Sequence, residues 1–166
     1  MISPEMIRRY SFFAGLSSEN IVALAKCAKE LSVSEGYSFF NEGEELTQFF
    51  LVVEGAVGIY IQIPDRDVPQ LKSNHITGDL IMKDVLVSTI GTGNIFAWSA
   101  LIPPHFTTAG AKTLTDCKVI SFDFSQIAEE MEKDPQFGLL MVQKAAQVIR
   151  ERLRDFRIES LAELVS

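Results

Sequence analysis

The residues best suited to chemistry lie between Gly91 and Ala109. Gly91-Thr92-Gly93 is a turn signal, Asn94-Ile95-Phe96 reads as a short apolar strand, and Ala97-Trp98-Ser99-Ala100-Leu101 as one turn of helix. A Pro103-Pro104 loop follows, and Thr107-Thr108-Ala109 then starts a new strand. In a chain of strands, a lone helical turn between two of them suggests an anion or ligand cradle. Its first backbone N–H groups lack intrahelical acceptors and favour negative charge. The candidate ligand residues are therefore Phe96, Ala97, Trp98, Ser99, Ala100, Thr107 and Thr108. The backbone suits an anion but the side chains do not: none of them carries positive charge, and burying a phosphate without a counter-charge is costly.

The remaining reactive side chains are few. The two histidines, His75 and His105, form no H-x-H pair, and no cluster has metal-ligand spacing. No Ser or Cys has a histidine base at local spacing, so no enzyme is expected and no metal site is assigned. Cys27 and Cys117 are far apart in apolar contexts, which predicts buried free thiols and a reducing, cytoplasmic setting. The net charge of −7 argues against a nucleic-acid surface. No apolar run approaches the roughly 18 residues of a membrane span, and Met1-Ile2-Ser3-Pro4-Glu5 lacks the order of a signal peptide.

Positioning the cradle needs a β framework. The 166 residues, 47% of them hydrophobic and twelve of them Phe, suffice for a packed core. Residues 1–30 read as helical: Ser17 caps a helix with the stripe Ile21, Leu24, Ala25, Ala28, and Leu16 with Ile21 forms a staple across the cap. From Leu31 to Ile63 the period changes to two. Val33, Tyr37–Phe40 and Phe49–Val53 are strand candidates, and Val57, Ile59, Ile61 and Ile63 alternate against Gly58, Tyr60 and Gln62. Residues 64–81 read as a polar loop, equally consistent with a functional insertion and a solvated one. Met82–Ile90 is a further strand, and Lys112–Phe124 supplies two more around Leu114-Thr115-Asp116. Asp123 with Gln126 opens one helix, and Asp134-Pro135 opens a longer one reaching Leu164. Short strands between glycine turns indicate a mainly β fold with flanking helices, a sandwich, roll or barrel over 1–133, followed by a long helix over 134–166.

On that helix Val142, Ala146, Ile149, Leu153 and Phe156 alternate spacings of four and three. This seam either docks on the roll or pairs two copies of the chain, and a homodimer is the expected use. Arg150, Arg152 and Arg157 are read as its flanks, with Glu151, Arg154 and Asp155 further out. The interleaved acids argue against a nucleic-acid contact by this chain.

In order along the chain, Phe12-Phe13-Ala14-Gly15-Leu16-Ser17, Phe39–Glu44 with Phe50–Val57, and Gly93–Leu101 resemble three motifs of the cyclic-nucleotide-binding domain of the Crp/Fnr family. The resemblance covers nearly the whole chain and implies a mainly β fold with flanking helices, a jelly roll or β roll, with a phosphate-binding cassette and a long C-terminal helix. In cyclic-nucleotide-binding members the cassette reads F-G-E-x-A-L followed by R-x-A/S, its Glu receiving the ribose hydroxyl and its Arg pairing with the cyclic phosphate. Here the Gly position holds Ala97, the Glu position Trp98 and the Arg position Thr107, while Ala100, Leu101 and Ala109 are retained. Threonine offers no charge-assisted fork, and indole has one donor and no carboxylate. Lys112 is the nearest cation downstream. Cyclic AMP bound in the usual way is therefore not expected.

The resulting expectation is a non-catalytic regulatory or sensor domain with a divergent cassette. A cyclic nucleotide or another small anionic effector is a conceivable ligand, and a protein partner a conceivable output. Trp98 and Phe106 either report pocket occupancy or plug a closed pocket. One alternative is the sensor piece of a Crp/Fnr-type transcription regulator; the stretch given stops at Ser166, about where the resemblance places a winged helix. Another is a haem or gas sensor, with His75 or Cys117 as axial ligand.

Overall fold

Two serines start the N-terminal helices of the computed structural model, which describes residues 1–71 and 80–166. Ser3 Oγ accepts from the Met6 N–H at 3.3 Å ahead of α1 (Pro4–Arg8). Ser17 Oγ accepts from the Asn20 N–H at 3.1 Å ahead of α2 (Ser18–Lys26), so two otherwise orphaned donors are satisfied. Ile21, Leu24 and Ala25 are buried on α2, and Leu16 is buried before its cap. Ala28 is not the fourth member of a helical stripe. The helix stops at Lys26, and Ala28 opens β1 (Ala28–Val33), paired to Phe122. This strand lies at a sheet edge with mostly exposed side chains, so it carries too little apolar alternation to be seen in the sequence.

The remaining strands are β2 (Ser38–Phe40), β3 (Gln48–Glu54), β4 (Val57–Pro64), β5 (Met82–Ile90), β6 (Ile95–Phe96), β7 (Gly110–Thr113) and β8 (Cys117–Asp123). They form two antiparallel sheets, ordered β1-β8-β3-β6 and β2-β7-β4-β5. Apart from the β4–β5 hairpin, consecutive strands thus alternate between sheets, as in a roll. Gly55 turns β3 into β4 at φ +94°; a Cβ there would lie 2.4 Å from the Asp116 carbonyl oxygen, so only glycine fits.

Between the sheets lies a phenylalanine core. Phe49 stacks on Phe122 with centroids 4.8 Å apart, Phe13 of the N-terminal segment packs on Phe122 at 5.3 Å, and Phe50 stacks on Phe96 at 5.0 Å. Pairing of β4 with β5 shifts register between Ile59, opposite Ser88, and Tyr60, opposite Leu86, so Val87 is an extra residue in β5. Burial falls along β4, from fully buried Val57 to exposed Ile63. The stretch 64–81 is not a free loop at its base. Pro64 pairs with Met82, Asp65 N–H donates to the Ile81 carbonyl at 2.8 Å, and the Gln70 amide bridges Asp65 and Ile81. Its central residues, including His75, lie outside the described residues.

The two C-terminal helices are α3 (Phe124–Lys133) and α4 (Pro135–Val165). Asp123 caps α3 by accepting from the N–H groups of Ser125 and Gln126. Asp134 caps α4 by accepting from the Phe137 N–H at 3.2 Å, with Pro135 in the first turn. The helix docks on the roll through buried Phe137, Met141 and Ala145, a stripe next to the predicted seam rather than the seam itself. Val142, Ala146, Leu153 and Phe156 remain exposed and Ile149 half-buried.

Candidate functional site

The cassette forms as β6, then a 3-10 turn over Trp98–Leu101, then the Pro103-Pro104 turn leading toward β7. Ala97 links β6 to the turn at φ 65°, a left-handed conformation that strains any residue with a Cβ. The turn has four residues, and Ala100 N–H donates back to the Ala97 carbonyl at 3.1 Å. So short a 3-10 segment has little aligned dipole, and its pull on an anion is weaker than that of a full α-helix.

The segment after the turn is fixed by the backbone. Gly43 N–H donates to the Thr107 carbonyl, and Thr107 N–H to the Glu44 carbonyl, both at 2.9 Å; Leu46 N–H donates to the His105 carbonyl at 2.7 Å. His105 adopts φ 66° and holds the Ala100 carbonyl through Nδ1 at 3.0 Å. Thr107 is buried. Its hydroxyl donates to the Ala109 carbonyl at 2.7 Å and accepts from the Ala109 N–H at 3.3 Å. Its single proton is therefore committed, and Thr107 has none for an incoming phosphate.

Facing this cassette is a cavity of about 190 Å³. Of the seven candidate residues, Phe96, Ala97, Trp98, Ser99, Thr107 and Thr108 line it. Ala100 does not: it is fully buried in the core behind the turn. Trp98 is half-buried on the wall, whereas Phe106 is 52% exposed and is not part of the lining, so it neither reports on this cavity nor plugs it. The rest of the wall comes from elements distant in sequence. Phe40, Ile59, Ile61, Val87 and Ile90 contribute from the sheet, and Arg152, Asp155 and Phe156 from α4.

Lys112 does not line the cavity; it lies 5.5 Å over the Tyr60 ring and 3.8 Å from an Asp84 carboxylate oxygen. The cation lining the cavity is Arg152, which sequence reading placed on the flank of the dimer seam. Its guanidinium is half-buried, and Nη2 donates to the Ile95 carbonyl at 3.1 Å. Burial lowers its pKa from the usual value, with Asp155 and Glu151 opposing. No carboxylate lies within ion-pair distance of it among the described residues. A signal did exist: Met141, Ala145, Val148 and Arg152 continue the docked stripe at spacings of four, three and four.

Cys117 is buried at the other end of β8, its thiol beside the Ala56 carbonyl at 3.3 Å, and does not line the cavity. Cys27 is also a buried free thiol. No group of three or more metal-ligating side chains occurs among the described residues, and no helix there is long and apolar enough to cross a membrane.

A family model described as "Cyclic nucleotide-binding domain" matches residues 30–134. A CRP-like cAMP-activated global transcriptional regulator of Mycobacterium tuberculosis is 22% identical over 161 residues, 97% of this chain and 62% of the regulator. The chain thus spans less than two thirds of the length of the curated relatives it matches. Among solved structures, a Geobacter metallireducens GS-15 protein provisionally named for cyclic nucleotide binding is 25% identical. It has a TM-score of 0.75, over 92% of this chain and 99% of that one. The sensor domain of the transcriptional regulator DNR from Pseudomonas aeruginosa, 15% identical with a TM-score of 0.63 over 90% and 95% of the two chains, shares the fold.

Proposed function

The chain belongs to the cyclic nucleotide-binding domain family, and from that membership we propose that it is a non-catalytic small-molecule sensor whose ligand is not held as a cyclic phosphate usually is. The observation that carries this reading is the composition of the cavity. Cassette residues form one wall and α4 another, and the lining cation comes from the helix, not from the cassette. A ligand in that space touches both, so occupancy shifts α4 by its differential contacts. The committed hydroxyl of Thr107 and the ring of Trp98 leave the cassette without the Arg and Glu of the usual phosphate and ribose contacts.

The output is proposed to run through a homodimer. Val142, Ala146, Leu153 and Phe156 form an apolar stripe that the roll leaves uncovered, with half-buried Ile149 among them. A second copy of α4 covers such a stripe by coiled-coil packing. The match to a longer CRP-like regulator supports a second reading, in which this domain is the effector-sensing part of a transcription regulator.

Titration with cyclic AMP, cyclic GMP and cyclic dinucleotides, followed by Trp98 fluorescence and melting temperature, tests the ligand assignment. Trp98 is the sole tryptophan and lines the cavity, so it reports an occupant directly. No saturable response is expected. Saturable binding in the micromolar range, with the stabilisation that mass action then requires, overturns the reading.

A further inference from the structure

We infer that the cavity takes a small apolar carboxylic acid built around a single ring, with Arg152 as the partner of its carboxylate. The inference rests on the sensor reading above and names the chemical class of the ligand. Size sets the first limit. An apolar cavity of about 150 Å³ is enough to hold benzene, and this one has about 190 Å³. That suits one ring with a short substituent.

Wall chemistry sets the second. Phe40, Phe96 and Trp98 present aromatic surface, and Ile59 and Ile90 aliphatic surface, which favours a ring over a sugar. Charge sets the third. The Arg152 guanidinium has five N–H donors, and among the described residues it donates one hydrogen bond, from Nη2 to the Ile95 carbonyl. It is half-buried beside apolar side chains, without an ion-pair partner among the described residues, a position that a carboxylate accepting two parallel N–H bonds would relieve. Asp155 also lines the cavity but is exposed, so it disfavours a second negative charge at the rim and limits the ligand to a monoanion. Ser99 adds a nearly buried hydroxyl on the cassette wall. Because Arg152 holds the Ile95 carbonyl, a carboxylate that draws the guanidinium away alters the one side-chain hydrogen bond recorded between α4 and β6. Filling the cavity and moving the helix are then one event.

The test uses the whole chain with benzoate, phenylacetate and 3-phenylpropionate, each against its neutral primary amide, with melting temperature and Trp98 fluorescence as readouts. At least one acid is expected to bind about tenfold or more tightly than its amide, the size of effect that a charge-assisted hydrogen bond gives. Arg152→Gln is expected to erase that difference while leaving the circular dichroism spectrum unchanged. Acids and amides binding alike to the unsubstituted protein would overturn the role of Arg152 while leaving a sensing cavity. No response to any acid overturns the ligand class. Acid binding that leaves hydrogen exchange along α4 unchanged keeps the ligand class and overturns the sensor reading instead.

Discussion

Ala97 shows how strongly the turn is imposed on the chain. The family's glycine position here carries a Cβ, yet the backbone still takes φ 65°. Left-handed backbone costs an L-residue roughly 1–2 kcal/mol, which the surrounding pairing of β6 and the buried turn offset. Ala97→Gly is therefore expected to leave the melting temperature unchanged or raise it by a few degrees. Ala97→Val, β-branched and in a site only 7% exposed, adds overpacking of about 1–3 kcal/mol and is expected to lower it by about 5–10 °C. A valine variant as stable as the parent would show that the turn relaxes. At the neighbouring positions, the double substitution Trp98→Glu with Thr107→Arg restores a carboxylate and a guanidinium to a wall that both residues already line. It is expected to create measurable cyclic-nucleotide binding in calorimetry; an unchanged, silent titration would show that the cassette register assigned here is wrong.

Among the elements, α4 depends on one carboxylate at its start. The Asn20 side-chain amide donates to Asp134 at 3.1 Å, and the Phe137 N–H donates at 3.2 Å. Together, the amide first, they hold the Asp134 carboxyl below its ordinary pKa. The native state thus favours the charged form. Its contribution is complete above the unfolded value of 3.8 and is lost as pH falls through the lower folded value. Asp123 behaves alike, held down first by the Ser125 hydroxyl and then by the Gln126 and Ser125 N–H groups. Asp134→Ala is expected to lower the melting temperature by about 2–6 °C at pH 7, as loss of an N-cap does. The deficit should shrink between pH 5 and pH 2; a deficit constant over that range would mean the charge plays no part.

At the scale of the molecule, α4 uses two adjacent faces. One, through Phe137, Met141 and Ala145, is consumed by the roll; the other, through Val142 and Leu153, is exposed. Val142→Glu with Leu153→Glu is expected to convert a dimer into a monomer in light scattering with the circular dichroism spectrum retained, because neither side chain is buried in the chain itself. An unsubstituted protein already monomeric at high concentration would remove the dimer from the proposal.

Local rules were enough to place most elements. Capping by Ser17, Asp123 and Asp134 and the glycine turns each depend on residues within a few positions of one another. With the three motifs that resemble the family's, the sequence by itself determined the β roll with its long helix, the position of the cassette, and the absence of a positive charge within it. It placed the end of α2 too far along, because the edge strand β1 is polar and its pairing with β8 is non-local. Only the tertiary structure decided what the cavity contains. Which of two neighbouring helix faces docks depends on the shape of the roll beneath it, and the helical period alone makes both plausible. Once Met141 and Ala145 are seated, Arg152 is carried two turns further along the same face to the Ile95 carbonyl, 57 residues away in the chain.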